Sequence, residues 1–402
     1  MIELAESLPK RTAEWLPALW HTATNEKRSA ALWRLPDQTE KHALIDPSGE
    51  PPRVKMDLEE LPAGFAFSPF LHQQEKNTWF LKAGVHVRFG PDEPPALAFP
   101  NPGLRAAAEL LLSKAARYVA PVAGPLPDPV PADGAEKERY VWLVERAIEA
   151  IHAGRFQKVA LSRSGHVTLP ADFDALSLFD RLCRMYPRAF VSLVSVPGVG
   201  VWTGATPETL ISVDRDGLFR TVSLAGTQAL RPGASVREAH WTHKEIEEQA
   251  LVSRYIVDCF KKIRLREYEE AGPKTVVAGN LMHLRTDFRV DTRAVNFPQL
   301  GTVMLELLHP TSAVCGVPKA PALDFIRQNE GYDRQFYSGF LGPVNVDRET
   351  HLFVNLRCLQ LRGPTAIVYA GAGITAESTP DKEWLETEAK CQTMLKALVS
   401  SQ

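Results

Sequence analysis

The chain has 402 residues, 45% of them hydrophobic, and a formal net charge of −2 at pH 7. This composition suits a globular protein with a large core, and the length allows two or three average domains or one large unit. A nearly neutral chain without basic clusters gives no electrostatic reason to bind nucleic acid or a membrane surface, so we expect small-molecule or protein partners.

The five cysteines are scattered and include no Cys-x-x-Cys pair. This spacing argues against a zinc ribbon or a disulfide framework and favours reduced thiols. No segment of the sequence reaches the ~20 consecutive apolar residues that a bilayer span requires. We therefore expect a soluble, cytoplasmic protein.

The first part of the chain mixes short strand patterns with turns. Thr78–Lys82 and residues 84–89 predict strands, and residues 104–118 predict a helix. The proline-dense residues 121–131 predict a stiff, extended connector. The connector is either a domain boundary or a surface crossover within one domain.

The pattern changes after Lys137. Residues 140–153 predict an amphipathic helix and residues 157–163 a strand. Residues 189–230 contain four strand patterns separated by glycines and predict a meander, because strands this close together favour antiparallel pairing. A helix over residues 244–262 follows.

Near the C-terminus, residues 351–360 and 366–371 predict two strands flanking a hairpin-like turn at residues 362–364. Helices that follow groups of antiparallel strands indicate an α+β fold rather than a doubly wound parallel sheet. The sequence has no Gly-x-Gly-x-x-Gly after a first strand and no Walker loop, so a nucleotide-binding fold has no support.

The most informative segment begins with Tyr369-Ala-Gly-Ala-Gly-Ile374, where a strand ends in alternating alanine and glycine. Glycines let the backbone approach a ligand closely. The helix that starts at Pro380 then presents Glu383, Glu386 and Lys390 at helical spacing. The segment predicts a small-molecule site with carboxylate or metal chemistry. The alternative is a solvated charged face with a Glu386–Lys390 ion pair.

A second acidic residue lies on the helix over residues 244–262. Glu248 falls on the apolar stripe with Val252 and Ile256, whereas Glu247 points elsewhere. A carboxylate on such a stripe is costly unless it is paired or binds a cation, or unless it reaches water at the stripe's end. Carboxylates without histidine or cysteine companions favour Mg²⁺ over zinc.

Six short motifs within residues 137–395 resemble, in the same order, the motifs of the chorismate-utilising enzymes. They are Gln157-Lys-Val-Ala-Leu-Ser-Arg163, Gly204-Ala-Thr-Pro-Glu-Thr-Leu210, Leu224-Ala-Gly-Thr227, Leu308-His-Pro-Thr311, Phe336-Tyr-Ser-Gly-Phe340 and Gly371-Ala-Gly-Ile-Thr375. The resemblance implies one domain over residues 1–402, with residues 1–130 as its variable N-terminal part and residues 137–395 as its catalytic region. It implies antiparallel sheets in a central sandwich, with helices packed outside.

Within this family, Lys158 is the discriminating residue. The isochorismate and salicylate synthase branches resemble this chain in having a lysine there as general base for water, whereas ammonia-using anthranilate synthases typically have glutamine. The Asp-Leu-x-Arg-Asn-Asp signature of the latter is absent after Glu248. The resemblance therefore implies an isochorismate synthase that adds water at C2 of chorismate with loss of the C4 hydroxyl, for menaquinone biosynthesis.

Several alternatives remain: a salicylate synthase, a siderophore-pathway isochorismate synthase, an ammonia-using synthase component, or an inactive binding module. The resemblance further implies that no glutaminase subunit is needed and that the protein is a monomer or a weak homodimer.

The resemblance assigns the acid–base roles to Lys158 and Glu208. Judged by position alone, each is a charged residue at a strand end, where such side chains are usually solvated. Lys158 would take a proton from water, and Glu208 would donate one to the departing hydroxyl. These roles require a lysine pKa lowered from ~10.4 and a glutamate pKa raised from ~4.3.

The resemblance also implies that Glu248 and Glu386 hold Mg²⁺, with Glu383 contributing through water. The implied substrate-binding residues are Gly226, Thr227, His309, Arg357, Tyr369, Gly373 and Lys390. His309 could equally be a structural histidine. Gln228 stands where family members commonly have arginine.

Overall fold

The computed structural model describes residues 12–71, 75–91, 94–117, 134–169, 173–229, 239–278 and 281–398. The connector predicted at residues 121–131 lies outside these ranges. Within them the chain forms eight α-helices and nineteen strands. The helices are α1 (Thr12–Asn25), α2 (Arg105–Ala115), α3 (Gly134–His152), α4 (Ala175–Met185), α5 (His243–Lys262), α6 (Leu300–Leu308), α7 (Lys319–Asn329) and α8 (Pro380–Leu398).

The strands form two antiparallel sheets. They are β1 (Ser29–Arg34), β2 (Lys41–Asp46), β3 (Arg53–Val54), β4 (Gly64–Ser68), β5 (Thr78–Lys82), β6 (Val85–Phe89), β7 (Ala96–Ala98), β8 (Lys158–Thr168), β9 (Phe190–Val196), β10 (Gly200–Thr206), β11 (Thr209–Val213), β12 (Leu218–Ala229), β13 (Glu269–Ala278), β14 (Leu281–Asp291), β15 (Gly316–Val317), β16 (Phe340–Val344), β17 (Thr350–Val354), β18 (Cys358–Arg362) and β19 (Thr365–Ile374). The first sheet has the order β15-β8-β19-β18-β10-β9-β1-β2-β6-β7, and the second β13-β14-β12-β11-β17-β16-β4-β5-β3.

The two sheets pack against each other through large apolar side chains. Trp33 and Trp202 of the first sheet share one buried cluster with Phe67 and Phe353 of the second. The rings of Phe190 and Phe353 stack across the interface with their centroids 4.1 Å apart. This contact makes the pair of sheets a sandwich.

Helices cover the outside of the sandwich. Helices α1, α2, α4 and α8 pack in one buried cluster with strands of the first sheet. Helices α3, α5, α6 and α7 share another cluster with strands of both sheets. The predicted α+β class, with antiparallel sheets in a central sandwich and helices outside, is confirmed.

Two of the places where the chain passes from one sheet to the other lie next to each other. The chain passes from β10 to β11 through Pro207 and Glu208, and from β17 back to β18 through residues 355–357. The two crossings are hydrogen-bonded to each other, because the Val354 N–H donates to the Glu208 carbonyl and the Ala205 N–H to the Arg357 carbonyl, both at 3.0 Å. Polar side chains from both crossings are therefore placed between the sheets.

These crossings correct two sequence predictions. Residues 351–360 are not one strand but parts of β17 and β18, in different sheets, because Arg357 adopts a left-handed backbone with φ of 47°. The four strands predicted within residues 189–230 pair antiparallel as two hairpins, one in each sheet, rather than as one meander.

The helix predictions are confirmed with small differences in their ends. Helix α2 is shorter than the predicted residues 104–118, and α3 begins before residue 140. The Glu245 carboxylate accepts a hydrogen bond of 2.7 Å from the Thr242 N–H, which fixes the start of α5. Within the described ranges, none of the helices has the length and apolarity to cross a membrane.

Candidate active site

A cavity lies beside the two crossings, between the sheets and helices α5 and α8. Nine of the residues predicted for the site line it, and they are Glu208, Gly226, Thr227, Glu248, Arg357, Tyr369, Gly373, Glu386 and Lys390. The chain thus brings together residues that are up to 182 positions apart in sequence.

Lys158 lies directly behind the cavity lining, at the start of β8. Its side chain is fully buried, and its Nζ is 2.9 Å from Oε1 of Glu248 on α5. Gly373 on the adjacent strand makes room for this pair, because a methyl group at Gly373 would collide with the Glu248 carboxylate and with Cε of Lys158. The glycine predicted to allow close approach therefore accommodates two functional side chains.

Glu208 is held at the first crossing with 5% of its surface exposed. Burial raises its pKa to about 7, even though the nearby positive charges of Lys158, Lys390 and Arg357 favour the carboxylate. At neutral pH a substantial fraction of Glu208 therefore carries a proton, which a general acid requires. The Lys158 amine is close enough for its charge to act on the pKa of Glu208, so the proposed base and acid lie near each other.

Glu386 and Lys390 of α8 face the cavity rather than solvent. Lys390 Nζ is 2.6 Å from Oε1 of Glu386 and also donates to the Gly371 carbonyl at 2.8 Å. The predicted Glu386–Lys390 ion pair exists, but both side chains are more than 80% buried and line the cavity. The prediction of a solvated face is therefore wrong for these two residues, and their functional role stays a prediction.

Glu383 is paired with Lys244 of α5, a residue that the sequence analysis did not single out. The two side chains meet at 2.6 Å, and only 2% of the Glu383 side chain is exposed. Burial and the Glu386 carboxylate raise the pKa of Glu383 to about 7. Burial lowers the pKa of Lys244, but Glu383, Glu386 and Glu248 together raise it above its ordinary value.

The carboxylates fit a magnesium ion by their chemistry. They offer only hard oxygen ligands, and Oε2 of Glu383 is buried without a hydrogen-bond partner. Glu247 is exposed whereas Glu248 is buried, as the helical face predicts. Each carboxylate is engaged by a lysine. Among the described residues, only the exposed His243, Glu247 and Glu377 form a group of three whose potential ligand atoms all lie within 4.8 Å of one another. Glu248, Glu383 and Glu386 do not form such a group.

Arg357 is buried at the second crossing and is oriented by two neighbours. Its guanidinium lies 3.3 Å from His283 Nε2 and donates to the Thr393 hydroxyl at 3.3 Å. Burial and Arg357 lower the pKa of His283 to about 3, so the ring is neutral. Since His283 Nδ1 lies 2.7 Å from the Gly226 carbonyl, Nδ1–H donates there and Nε2 accepts from Arg357.

Sequence reasoning missed His283, Lys244, Arg334 and Tyr337. A lone histidine in a strand carries no signal beyond its residue type. Lys244 precedes Glu248 by four residues, which suggests a local ion pair, but its partner lies on another helix. His309 is not placed in this cavity, since it lines a separate cleft with Lys55 and Glu306.

Tyr369, a predicted substrate contact, and Gln228, which stands where family members commonly have arginine, both have structural partners. The Tyr369 ring is stacked between Trp202 and Tyr337, and its hydroxyl lies 3.4 Å from the Gln360 side-chain oxygen. The Gln228 amide donates to the Glu245 carboxylate at 3.1 Å, so it supports the start of α5.

Comparisons with known proteins show which sequences and folds this chain resembles. A family model described as chorismate binding enzyme matches residues 107–399. Isochorismate synthase EntC from Escherichia coli K12 is 30% identical over 265 residues, which cover 65% of this chain and 67% of that protein. Anthranilate synthase component 1 from Thermococcus kodakarensis is 28% identical over 265 residues, covering 65% of this chain and 60% of that protein.

A solved structure shares the whole architecture. The menaquinone-specific isochorismate synthase MenF from Escherichia coli superposes with a TM-score of 0.75 and 22% sequence identity, covering 95% of this chain and 91% of that one. At this identity the likeness concerns the fold.

Proposed function

The chain belongs to the family of chorismate binding enzymes, and on this premise we propose that it converts chorismate to isochorismate with the help of Mg²⁺. The observation that carries the proposal is the fully buried Lys158 together with Glu208, whose pKa is raised to about 7. Lysine is a residue type that can activate water, and a substantial fraction of Glu208 still carries its proton at neutral pH.

In the proposed reaction, the Lys158 amine takes a proton from the water that attacks C2 of chorismate. The ring double bonds shift, the C4–oxygen bond breaks, and Glu208 gives its proton to the departing hydroxyl. One water enters and one leaves, so the reaction is an isomerisation. Lys158 must be uncharged when water attacks, and its ion pair with Glu248 must therefore open beforehand.

We assign the magnesium ligands to Glu248 and Glu386, with Glu383 acting through water. A bound divalent cation would neutralise the ring carboxylate and fix its position. Support comes from the buried, oxygen-only donor set and from the buried Glu383 oxygen without a hydrogen-bond partner.

Arg357 suits the second carboxylate of chorismate, on the enolpyruvyl group, because a guanidinium fork binds a carboxylate with two hydrogen bonds. His283 and Thr393 already hold its orientation. Lys390 adds positive charge to the same cavity, and the backbone around Gly226, Thr227 and Gly373 lines it. Tyr369 supplies an aromatic wall.

The test is chromatographic product analysis after incubation with chorismate and Mg²⁺, without ammonia. We expect isochorismate alone. Salicylate with pyruvate would instead identify a salicylate synthase, and turnover only with ammonia would identify an aminating synthase. No product under any of these conditions would contradict an enzymatic role.

The acid–base assignment is tested by two variants and a matched control. Lys158→Ala and Glu208→Gln should each lose at least ~100-fold in turnover while remaining folded. Glu247→Gln removes an exposed carboxylate next to Glu248 and should keep normal turnover. Near-normal rates in either of the first two variants would overturn the assignment.

For the pathway, we propose menaquinone biosynthesis, with a siderophore pathway as the alternative. Because water rather than ammonia is the proposed nucleophile, a glutaminase subunit is not needed. Growth complementation separates the two pathways, since the gene should rescue a strain lacking menaquinone-directed isochorismate synthesis.

A further inference from the structure

Each of the three acids assigned to the metal is paired with one lysine in or beside the cavity. Glu248 pairs with Lys158 at 2.9 Å, Glu383 with Lys244 at 2.6 Å and Glu386 with Lys390 at 2.6 Å. Two of these lysines have a place in the proposed reaction, Lys158 as the base and Lys390 in substrate recognition. Lys244 has none, although its side chain is only 18% exposed and joins α5 to α8.

The position of Lys244 is that of a cation between the two acidic helices. It follows the first residue of α5, one turn before Glu248, and contacts Glu383 on α8. A buried carboxylate such as Glu383 needs a positive partner, and in the described part of the chain Lys244 is the lysine that supplies it.

We propose that the Lys244 ammonium is a built-in counter-cation that stabilises the metal-free carboxylate set and has to leave Glu383 when a divalent cation binds. This proposal rests on the proposed function for its metal site. It treats Lys244 as a competitor of the metal rather than as a group that contacts the reacting atoms. Lys244 lies at the N-terminal end of α5, and its partly exposed four-carbon side chain can turn toward solvent.

The balance of charges in the site predicts that the metal and the substrate bind cooperatively. A divalent cation adds two positive charges to carboxylates that the lysines already neutralise, whereas chorismate brings two negative charges. Metal and substrate should therefore strengthen each other's binding, and by thermodynamic reciprocity the coupling factor is the same in both directions. Removing the Lys244 charge should tighten binding of the metal alone and weaken this coupling.

The experiment is calorimetric titration of Mg²⁺ alone into wild-type protein, Lys244→Met and Lys261→Met. Lys261 is the matched control, because it lies on the same helix and pairs with an acid, Asp258, but in an exposed position. If the Lys244–Glu383 pair is closed in about nine molecules of ten, Lys244→Met should bind Mg²⁺ ~10-fold more tightly. Lys261→Met should bind like the wild type.

Unchanged or weaker Mg²⁺ binding by Lys244→Met would overturn the proposal, and weaker binding would mean that Lys244 organises the carboxylates. If the Met variant does not fold, Lys244→Gln keeps a hydrogen-bond donor without the charge and makes the same prediction. Glu386→Gln separates a failure of the proposed metal site from a failure of the Lys244 exchange. If it binds Mg²⁺ like the wild type, the metal site itself is wrong, whatever Lys244 does.

A structural readout independent of activity completes the test. In a crystal structure with Mg²⁺ bound, Lys244 Nζ should lie more than 4 Å from both oxygens of Glu383. Retention of the 2.6 Å contact beside a bound ion would refute the exchange.

Discussion

Replacing Glu208 by glutamine should inactivate the enzyme and yet stabilise the fold at alkaline pH. Folding raises the pKa of the buried Glu208 carboxyl from 4.5 to about 7. Below pH 4.5 both the folded and the unfolded chain hold the proton, so the carboxyl costs nothing. As the pH rises, the unfolded chain releases its proton first, and folding stability falls until the pH passes about 7.

The size of this effect follows from the two pKa values. Each unit of pKa difference corresponds to about 1.4 kcal/mol, so the full loss is about 3 kcal/mol, and most of it falls between pH 5 and pH 8. Glutamine has nearly the same shape and does not ionise, so Glu208→Gln escapes the loss. The free energy of unfolding of the variant, relative to the wild type, should rise by that amount over this interval.

Urea unfolding of both proteins at pH 5, 6, 7 and 8 in EDTA measures the difference, and contributions from all other ionisable groups largely cancel. Glu247→Gln serves as the control, because Glu247 is exposed on α5, and its difference from the wild type should stay within ~0.5 kcal/mol. A Glu208→Gln difference that does not change with pH would show that the fold does not favour the protonated carboxyl.

Four further outcomes test the site. Gly373→Ala should reduce turnover about 100-fold, because its methyl group displaces the Glu248 carboxylate and Lys158. The control is Gly165→Ala on the adjacent strand, where the added methyl group has open space and should leave turnover unchanged. Equal rates for the two variants would contradict this reasoning. His283→Leu should raise KM about tenfold with a smaller change in kcat, because Arg357 loses the acceptor that orients it toward the substrate carboxylate. Steady-state kinetics that show a change in kcat alone would contradict this role of His283. EDTA should abolish turnover and Mg²⁺ restore it, and activity that survives chelation would exclude the metal role. The kcat/KM profile should fall above about pH 7 as Glu208 ionises; a flat profile to pH 9 would rule out Glu208 as the acid.

Local patterns were enough to predict most elements of the fold. The helical face of residues 244–262 separates Glu248 from Glu247, and the structure buries the first and exposes the second. The turn at residues 362–364 joins β18 and β19 as expected. Residues 351–360, by contrast, have an uninterrupted strand pattern, and the left-handed Arg357 that divides them is set by hydrogen bonds to a distant segment. A tertiary requirement overrides local preference there.

The same distinction applies to the candidate site. Spacing on one helix predicts the Glu386–Lys390 pair, since both partners belong to one element. It cannot predict that Lys244 binds Glu383, because that contact depends on how α5 and α8 pack on the sandwich. The resemblance to a family supplied Lys158 and Glu208, and their proposed roles required that both be buried, but the supporting His283 could not be inferred from it.

The arrangement of the crossings explains why this chemistry depends on the whole sandwich. Lys158 belongs to a strand of the first sheet, whereas Glu208 stands where the chain leaves that sheet and Arg357 where it returns. The hydrogen bonds that join the two crossings, Val354 to Glu208 and Ala205 to Arg357, hold the acid and the arginine at a fixed distance from each other. A change in the packing between the sheets would therefore move the acid and the arginine together relative to the base. Core substitutions at the sheet interface, such as Phe353→Leu beneath Phe190, should then lower kcat more than they weaken chorismate binding.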